Sequence, residues 1–525
     1  AVIGNPPYVR QEQIKELKPA LKKAYQAFDG TADLYVYFYE LGLRLLRPGG
    51  RLSYVVTNKW LRAGYAEELR GLLSSEGWLE AVADFGHAKK FFPGADVFPC
   101  VIVARRPDGP DPPDETEVCQ IPRDVVRLDR VSQQVSELAF PLPRASFTRQ
   151  AWALDPPEVA ALMEKIRRAG VPLEEYAGTK PYRGVLTGYN EAFLIDTPTH
   201  DALVAADPKC EEIIKPYLRG QDIERWYAPW RGLWMIVLQS SANRVWPWSD
   251  AGDDAERLFQ QTYPSLYRHL APRRAELQTR QDKGRFWWEL RACSYYEQFE
   301  ETKIVYQEIQ YHPSFARDHS GSFCNNKVFF IPNADASLIT ALNSPLIWWH
   351  NWRHLAHLKD EALSPQAYRI ERLSIAAPSD AARQECIELV DQLVNVRKQA
   401  SETCTLLRDW YAAELGISKP SQALLEPFWL SSDDFVEQIR KARGVRKPLS
   451  AAGVQAVRED YANTVQPMQA VLREAEGLER RLSDLVNQAY GLTPDEVRLM
   501  WKTAPPRMPL TPEAEERPQV DEAAE

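Results

Sequence analysis

The chain lacks the charge excess of a general nucleic-acid binder. Its 525 residues hold 64 Lys and Arg against 73 Asp and Glu, a formal net charge of −9. Any contact with a polyanion must therefore come from a local basic surface. It also lacks paired cysteines. The seven (Cys100, Cys119, Cys210, Cys293, Cys324, Cys386, Cys404) are scattered, with no Cys-x-x-Cys spacing. That suggests neither a zinc site nor a disulfide framework, and no metal site is expected. Scattered free thiols suit a reducing cytoplasm. No signal peptide is legible and no apolar run nears the length of a membrane span, so no membrane partner is expected. There are no internal repeats.

What is present is globular material, 44% hydrophobic and 26% charged, with 16 tryptophans and 22 tyrosines. Residues 34–46 (LYVYFYELGLRLL) have helical spacing and stop at Pro48-Gly49-Gly50. RLSYVVTN (51–58) reads as a buried strand, and 59–77 as an amphipathic helix ending in glycine. WLEAVADF (78–85) and VFPCVIVARR (97–106) are further strands. Strand–helix–strand alternation of this kind predicts an α/β sheet, of which only the later strands are present. The proline- and acid-rich stretch 107–117 reads as a linker. The expected layout is an α/β domain over 1–110, a linker over 111–149 and a mixed α+β domain over 150–380. Helices follow over 381–505, then a disordered acidic tail over 506–525. Val471, Ala475, Leu478, Leu482, Leu485 and Ala489 form a short 4-3-4-3-4 seam, expected to pack within the chain rather than to oligomerise. A monomer is expected.

The chemistry starts at AVIGNPPYVR, residues 1–10. An apolar run ends in Asn5-Pro6-Pro7-Tyr8, and prolines cannot continue a ladder because they have no N–H. At the carboxyl edge of a strand, where open α/β sheets bind ligands, this turn offers the Asn5 side-chain oxygen. It also offers the Pro6 carbonyl, whose direction is fixed by the two rings, and the flat face of Tyr8. Two convergent acceptors beside a stacking ring fit a planar ring with an exocyclic amine. The same acceptors favour a more tetrahedral nitrogen, freeing its lone pair for attack on a sulfonium methyl and meeting the positive charge that develops.

These residues resemble motif IV of the S-adenosyl-L-methionine-dependent amino-group methyltransferases. That motif also occurs in enzymes acting on a protein glutamine amide or on RNA bases. Residues 32–70 resemble the following motifs of gamma-class N6-adenine DNA methyltransferases of the TaqI-like and type IIG restriction–modification group. The resemblance implies the later half of a Rossmann-like class I methyltransferase domain, with Asp33, Leu34 and Tyr35 near the cofactor; core packing of Leu34 and Tyr35 is the competing expectation. FGHAKKFFPGADVFPCVIV (85–103) resembles motif VIII. Phe92, in preference to Phe91, then closes on a flipped adenine opposite Tyr8, while His87 and Lys89 are read as loop or surface residues.

Residues 182–196, 213–226, 280–309 and 341–349 resemble, in order, the TaqI-like target-recognition domain, whose partner is double-stranded DNA. The most basic stretch is 268–291, with Arg268, Arg273, Arg274, Arg280, Lys283, Arg285 and Arg291 against Glu276, Asp282 and Glu289. These cations, with Arg183, Lys215 and Arg219, are candidate phosphate contacts, and arginine can also read guanine edges. Trp287 and Trp288 are placed to support that surface or to stack. Gly184, Gly188 and Gly220 read as turn residues. The family's glycine-containing cofactor loop and the acid that holds the ribose precede motif IV and have no counterpart here. The sequence thus reads as truncated, and this chain alone is expected to bind the cofactor weakly or not at all. No Asp…Glu-x-Lys or His-Asn-His nuclease pattern stands out.

Overall fold

In the computed structural model, residues 1–512 are described, apart from 87, 89, 93–96, 122–125, 356, 359–361 and 445–447. His87, Lys89 and most of the acidic tail thus lie outside the described residues. The chain divides into two compact units. One is built from Ala1–Met163, and the other from Glu164 onward apart from a short stretch at 358–361.

The first unit holds a six-stranded sheet of β1 (Val2–Gly4), β2 (Arg51–Thr57), β3 (Trp78–Asp84), β4 (Pro99–Arg105), β5 (Glu115–Gln120) and β6 (Phe140–Pro143). Their spatial order is β1-β2-β4-β3-β5-β6. β1 and β2 are parallel, as are β3 and β5. β4 lies antiparallel between β2 and β3, so β1, β2, β3 and β5 all point the same way and share a carboxyl edge. Leu52, Tyr54 and Val56 alternate inward on β2, the period-two pattern of a strand with one covered face.

Helices α1 (Lys18–Ala24), α2 (Tyr35–Leu45), α3 (Glu67–Glu76) and α4 (Val131–Leu138) complete this unit. α2 crosses from β1 to β2, so its first turn lies at the shared edge. It can lie close to β2 because residue 42 is glycine. A Cβ there would stand 2.7 Å from Leu52 Cδ1 and 3.0 Å from the Tyr54 hydroxyl. The buried Glu40 carboxylate accepts the backbone N–H groups of Gln26 (3.1 Å) and Ala27 (2.8 Å) and pairs with Arg44, tying the loop after α1 to α2.

Two expected boundaries are corrected. Residues 111–149 are not a linker, for they carry β5, α4 and β6. Alternating burial of Thr116 and Val118 adds β5 to the sheet, and the Thr116 hydroxyl donates to the Leu79 carbonyl at 2.9 Å. The unit also runs past 150, because Trp152 packs edge-on against Trp60 (5.3 Å) and Phe147 (5.0 Å).

The second unit contains a five-stranded sheet ordered Trp226–Tyr227, Phe315–Asp318, Lys303–Gln307, Val328–Pro332 and Tyr182–Arg183. A four-stranded sheet is ordered Phe323–Cys324, Ile214–Leu218, Leu233–Ile236 and Leu194–Asp196. The helices expected as a separate region after 381 belong to this same unit. The long helices Asp380–Ala413 and Gln466–Ala489 pack together, with Ala475, Leu482 and Leu485 of the seam buried. Glu479, on that helix, is buried and bonds Arg397, Arg225 and the Trp226 indole N–H, which joins the helices to the sheet. All seven cysteines are free thiols. Among the described residues no helix is long and apolar enough to cross a membrane, and no group of three or more His, Cys, Asp or Glu side chains is placed to share a metal.

Candidate active site and basic surface

The β1–β2 ladder stops at Gly4 paired with Tyr54, where Asn5-Pro6-Pro7-Tyr8 turns away from the sheet. The Tyr8 hydroxyl then donates to the carbonyl of Val55, the next residue of β2, at 3.1 Å. This anchors a half-buried ring that also meets Tyr35 edge-on at 6.3 Å; burial raises the Tyr8 phenol above its ordinary value. Asn5 is exposed and its amide has no hydrogen-bond partner among the described residues. The Pro6 carbonyl likewise receives no donor there.

The first turn of α2 is fastened to the same segment. The Leu34 N–H donates to the Val9 carbonyl (3.0 Å), and Asp33 Oδ1 accepts the Gln11 N–H (3.0 Å). Burial raises the Asp33 carboxyl above the usual range. Leu34 is half-buried, whereas Tyr35 is fully buried with its hydroxyl 2.6 Å from that of Tyr65. Tyr35 is therefore a core residue. Strand direction puts the segment after β3 on this carboxyl edge too. There Phe91 packs on Phe85 (5.0 Å) within a small apolar cluster, and Phe92 is half-buried with no ring partner among the described residues.

Sequence reasoning missed Asn58 and Asp84, at the carboxyl ends of β2 and β3. The Asn58 amide N–H group donates to both Asp84 oxygens (2.9 and 3.2 Å), and the Gly86 N–H donates to Oδ1 (3.0 Å). Desolvation raises the Asp84 carboxyl, against these hydrogen bonds. Gly86 has a φ of +51°, which glycine adopts without strain, so this carboxylate fixes the turn immediately after β3. The only available signal was polar residues at strand ends. A cavity of about 380 Å³ lined by Gln26, Glu68, Gly71, Ser74 and Arg149, among others, runs along α3 and takes in none of the residues Asn5–Tyr8, Asp33, Leu34 or Phe92.

In the second unit, most candidate phosphate contacts are exposed or half-exposed and engaged. Arg219 holds Asp222 with two hydrogen bonds (2.8 and 2.7 Å), Lys215 meets Glu300 (2.8 Å) and Arg274 meets Glu256 (2.7 Å). Arg285 donates to the Ser249 carbonyl (2.6 Å) and lies 3.4 Å from Asp250; Arg291 lies 3.2 Å from Asp282. Arg183 donates to the Asn326 carbonyl (2.8 Å), Arg268 to that of Pro264 (3.3 Å), Arg273 to that of His269 (3.1 Å) and Lys283 to that of Gln278. The exposed ion pairs of Lys215, Arg274, Arg285 and Arg291 are worth about 0–1 kcal/mol each, so an incoming phosphate can displace them, whereas Arg219 is held by a buried Asp222.

Arg280 is a correction. It is buried, donates to the carbonyls of Thr187, Trp287 and Glu289, and lies 4.5 Å from the Phe193 ring centroid. Burial brings its guanidinium down to about 10. It braces the fold and is not free for DNA. Trp287 and Trp288 are buried as well, so they support the surface rather than stack on a ligand. Gly188 has a φ of +67°. Gly184 serves a close approach, since a Cβ there would lie 2.0 Å from the Asn325 carbonyl.

The Eco57I restriction-modification methylase family matches residues 1–92, and a domain of unknown function (DUF8810) matches 379–486. The chain is 28% identical over 283 residues to the type II methyltransferase M.PaeR7I of Pseudomonas aeruginosa, covering 52% of this chain and 45% of that one. It is 21% identical over 414 residues to the type II methyltransferase M.BstVI of Geobacillus stearothermophilus, covering 75% and 70%. It thus spans less than half of the first relative's length. Among solved structures, the type IIL restriction-modification enzyme MmeI in complex with DNA aligns over 89% of this chain and 57% of that one. The identity is 13% and the TM-score 0.46. The chain is thus similar to type II restriction–modification methyltransferases, and the family match takes in the Asn5–Tyr8 turn and the first 92 residues of the unit that holds it.

Proposed function

We propose that the chain is part of a site-specific DNA methyltransferase of a restriction–modification system, transferring a methyl group from S-adenosyl-L-methionine to the N6 amine of an adenine flipped out of duplex DNA. The observation that carries this reading is the Asn5-Pro6-Pro7-Tyr8 turn. Its amide oxygen and proline carbonyl are both unclaimed, on the carboxyl edge of a parallel strand pair. Two acceptors with nothing in the chain to bind suit the two N–H bonds of an exocyclic amine. The strand directions, with an antiparallel β4 between β2 and β3, support the later half of a class I methyltransferase sheet, and the order of the resembling stretches in the sequence, from the Asn5–Tyr8 turn to 341–349, is what favours the gamma class.

Asn5 and the Pro6 carbonyl hold the amine and meet the positive charge that develops on nitrogen. The acidified proton then leaves along one of these hydrogen bonds toward solvent, so no strong base is needed. Tyr8 supplies one stacking face and Phe92 the other. Stacking worth about 1–3 kcal/mol per face offsets the few kcal/mol needed to extrude a base. The cofactor, when bound, supplies the electrophilic methyl. The second oxygen of Asp33 has no partner among the described residues, so Asp33 and Leu34 fit one side of its pocket. The test is expression of the native gene in a methylation-free bacterial host, with N6-methyladenine mapped by single-molecule sequencing. One methylated motif, lost in Asn5→Ala, is the expected result. An unmethylated genome from folded protein would overturn the reading.

A further inference from the structure

Two cations on the carboxyl edge of the first unit combine a fixed backbone with an unclaimed side chain. Arg10 follows the Asn5-Pro6-Pro7-Tyr8 turn by two residues. Both of its neighbours are clamped to the entry of α2. The Val9 carbonyl accepts the Leu34 N–H (3.0 Å), and the Gln11 N–H donates to Asp33 Oδ1 (3.0 Å). The Arg10 carbonyl itself accepts the Gln13 N–H (2.9 Å). Lys59 lies two residues beyond β2, in the short helical turn Asn58–Leu61. Its neighbours are anchored too. The Asn58 N–H donates to the Phe98 carbonyl (2.7 Å) while its side chain donates to Asp84 (2.9 Å). Trp60 is buried, and its carbonyl accepts a bond from Arg70 (2.6 Å), a buried arginine that also donates to the Ala63 carbonyl (2.8 Å). The Arg10 and Lys59 side chains are exposed and form no hydrogen bond or ion pair among the described residues.

The two share one place. Parallel pairing sets the end of β2 beside the end of β1, and the Tyr8 hydroxyl on the Val55 carbonyl (3.1 Å) ties the turn to β2. Burial raises the Asp33 carboxyl, and the charges of Lys59 and Arg10 both act on it in the opposite sense. The acids there, Asp33 and Glu12, bond the backbone and side chain of Gln11 (3.0 and 2.8 Å) rather than either cation. An exposed cation needs no partner to be stable. What marks these two is a fixed backbone at the place where Asn5 and Pro6 offer their acceptors. An adenine held there brings its own sugar and phosphates to the same edge, and a strand arrives from solvent, where these side chains stand, with a negative charge on every nucleotide. Phosphate contacts from Arg and Lys fix the position of a strand without reading its sequence. We propose that Arg10 and Lys59 bind the phosphates flanking the flipped adenine, holding the extruded nucleotide while Asn5 and Pro6 hold its amine. This rests on the DNA-methyltransferase reading.

The experiment compares the protein of the native gene with its Arg10→Ala, Arg10→Lys and Lys59→Ala variants. Each is titrated across salt concentrations with a duplex carrying the methylated motif, with and without neutral methylphosphonates on either side of the target adenine. Both side chains are exposed, so the substitutions leave the fold intact, and thermal melts check this. Each alanine variant should bind about tenfold more weakly, reduce the salt slope by about one and keep the same motif. Arg10→Lys should keep the slope. The methylphosphonate that weakens the parent should cost nothing further in the variant that lacks its cation. Unchanged affinity and slope in both alanine variants overturn the assignment, as do methylphosphonate penalties as large in the variants as in the parent. Loss of affinity for the cofactor with that for DNA unchanged also overturns it, and moves the cations to the cofactor's carboxylate. In each of these cases the DNA reading stands. A parent protein that binds no duplex overturns both.

Discussion

Glu479 is the sharpest test of how the second unit is held together. Its side chain is 3% exposed, with Arg397 Nη2 at 3.1 Å, the Trp226 indole N–H at 2.8 Å and the Arg225 guanidinium in direct contact. Removing one partner of a buried ion cluster costs about 3–5 kcal/mol, because the opposite charges stay buried. Arg225 has little slack to absorb the loss, since its side chain is 12% exposed and its Nε is already buried without a partner, whereas Arg397 is 30% exposed. Glu479→Ala should therefore lower the urea midpoint of this unit by about 1 M or more, for an m-value of about 3 kcal/mol/M. The transition followed by tryptophan fluorescence should separate from that followed by helical circular dichroism, because the substitution unfastens the long helices from the sheet. The pH dependence has a definite sign. Burial alone would raise this carboxyl, but Arg225, Arg397 and the indole hold it below the ordinary glutamate value. The native state thus binds fewer protons than the unfolded chain, and the contribution is full above the unfolded value and lost as pH falls through the native one. Glu479→Gln should flatten that acid limb. A midpoint within about 0.3 M of the parent, with coincident transitions, would refute the claim that the helices and the sheet form one unit.

Asp84 should behave in the opposite sense. Desolvation raises its carboxyl, so its ionisation weakens the first unit as pH climbs from the unfolded to the native value, and Asp84→Asn should remove that decline in a pH series of thermal melts. Gly42→Val drives a side chain into Leu52 and Tyr54; overpacking of this kind costs about 1–3 kcal/mol, measurable as a lower melting temperature. Tyr8→Phe keeps a stacking face but leaves the Val55 carbonyl without its donor. It should cost about 1 kcal/mol of stability and retain most DNA methylation, whereas Tyr8→Ala should abolish it in the sequencing assay.

The α/β pattern of the first unit was legible because it is local. β2, β3, β4 and α2 follow from period-two and helical spacing within single segments, and the Asn-Pro-Pro-Tyr turn follows from what proline denies a ladder. The boundary errors came from composition. Proline and acid before residue 115 signalled a linker, yet β5 and β6 needed only alternate burial to join the sheet, and Trp152 returned to Trp60 across 92 residues of sequence.

By itself, then, the sequence determined that the first strand ends at the Asn-Pro-Pro-Tyr turn, which residues there offer acceptors and which stretch is most basic, since each of these depends on residue type and near neighbours. Only the tertiary structure decided what each charge does. Arg280 and Lys283 stand three positions apart in one basic stretch, yet one is spent under the surface on three carbonyls and the other stays at the surface. Glu289 and Glu479 look like ordinary surface acids in sequence, but each gathers donors from segments far away in the chain. Burial and hydrogen-bond partnership are properties of the packed chain, set by distant segments, and no local pattern records them.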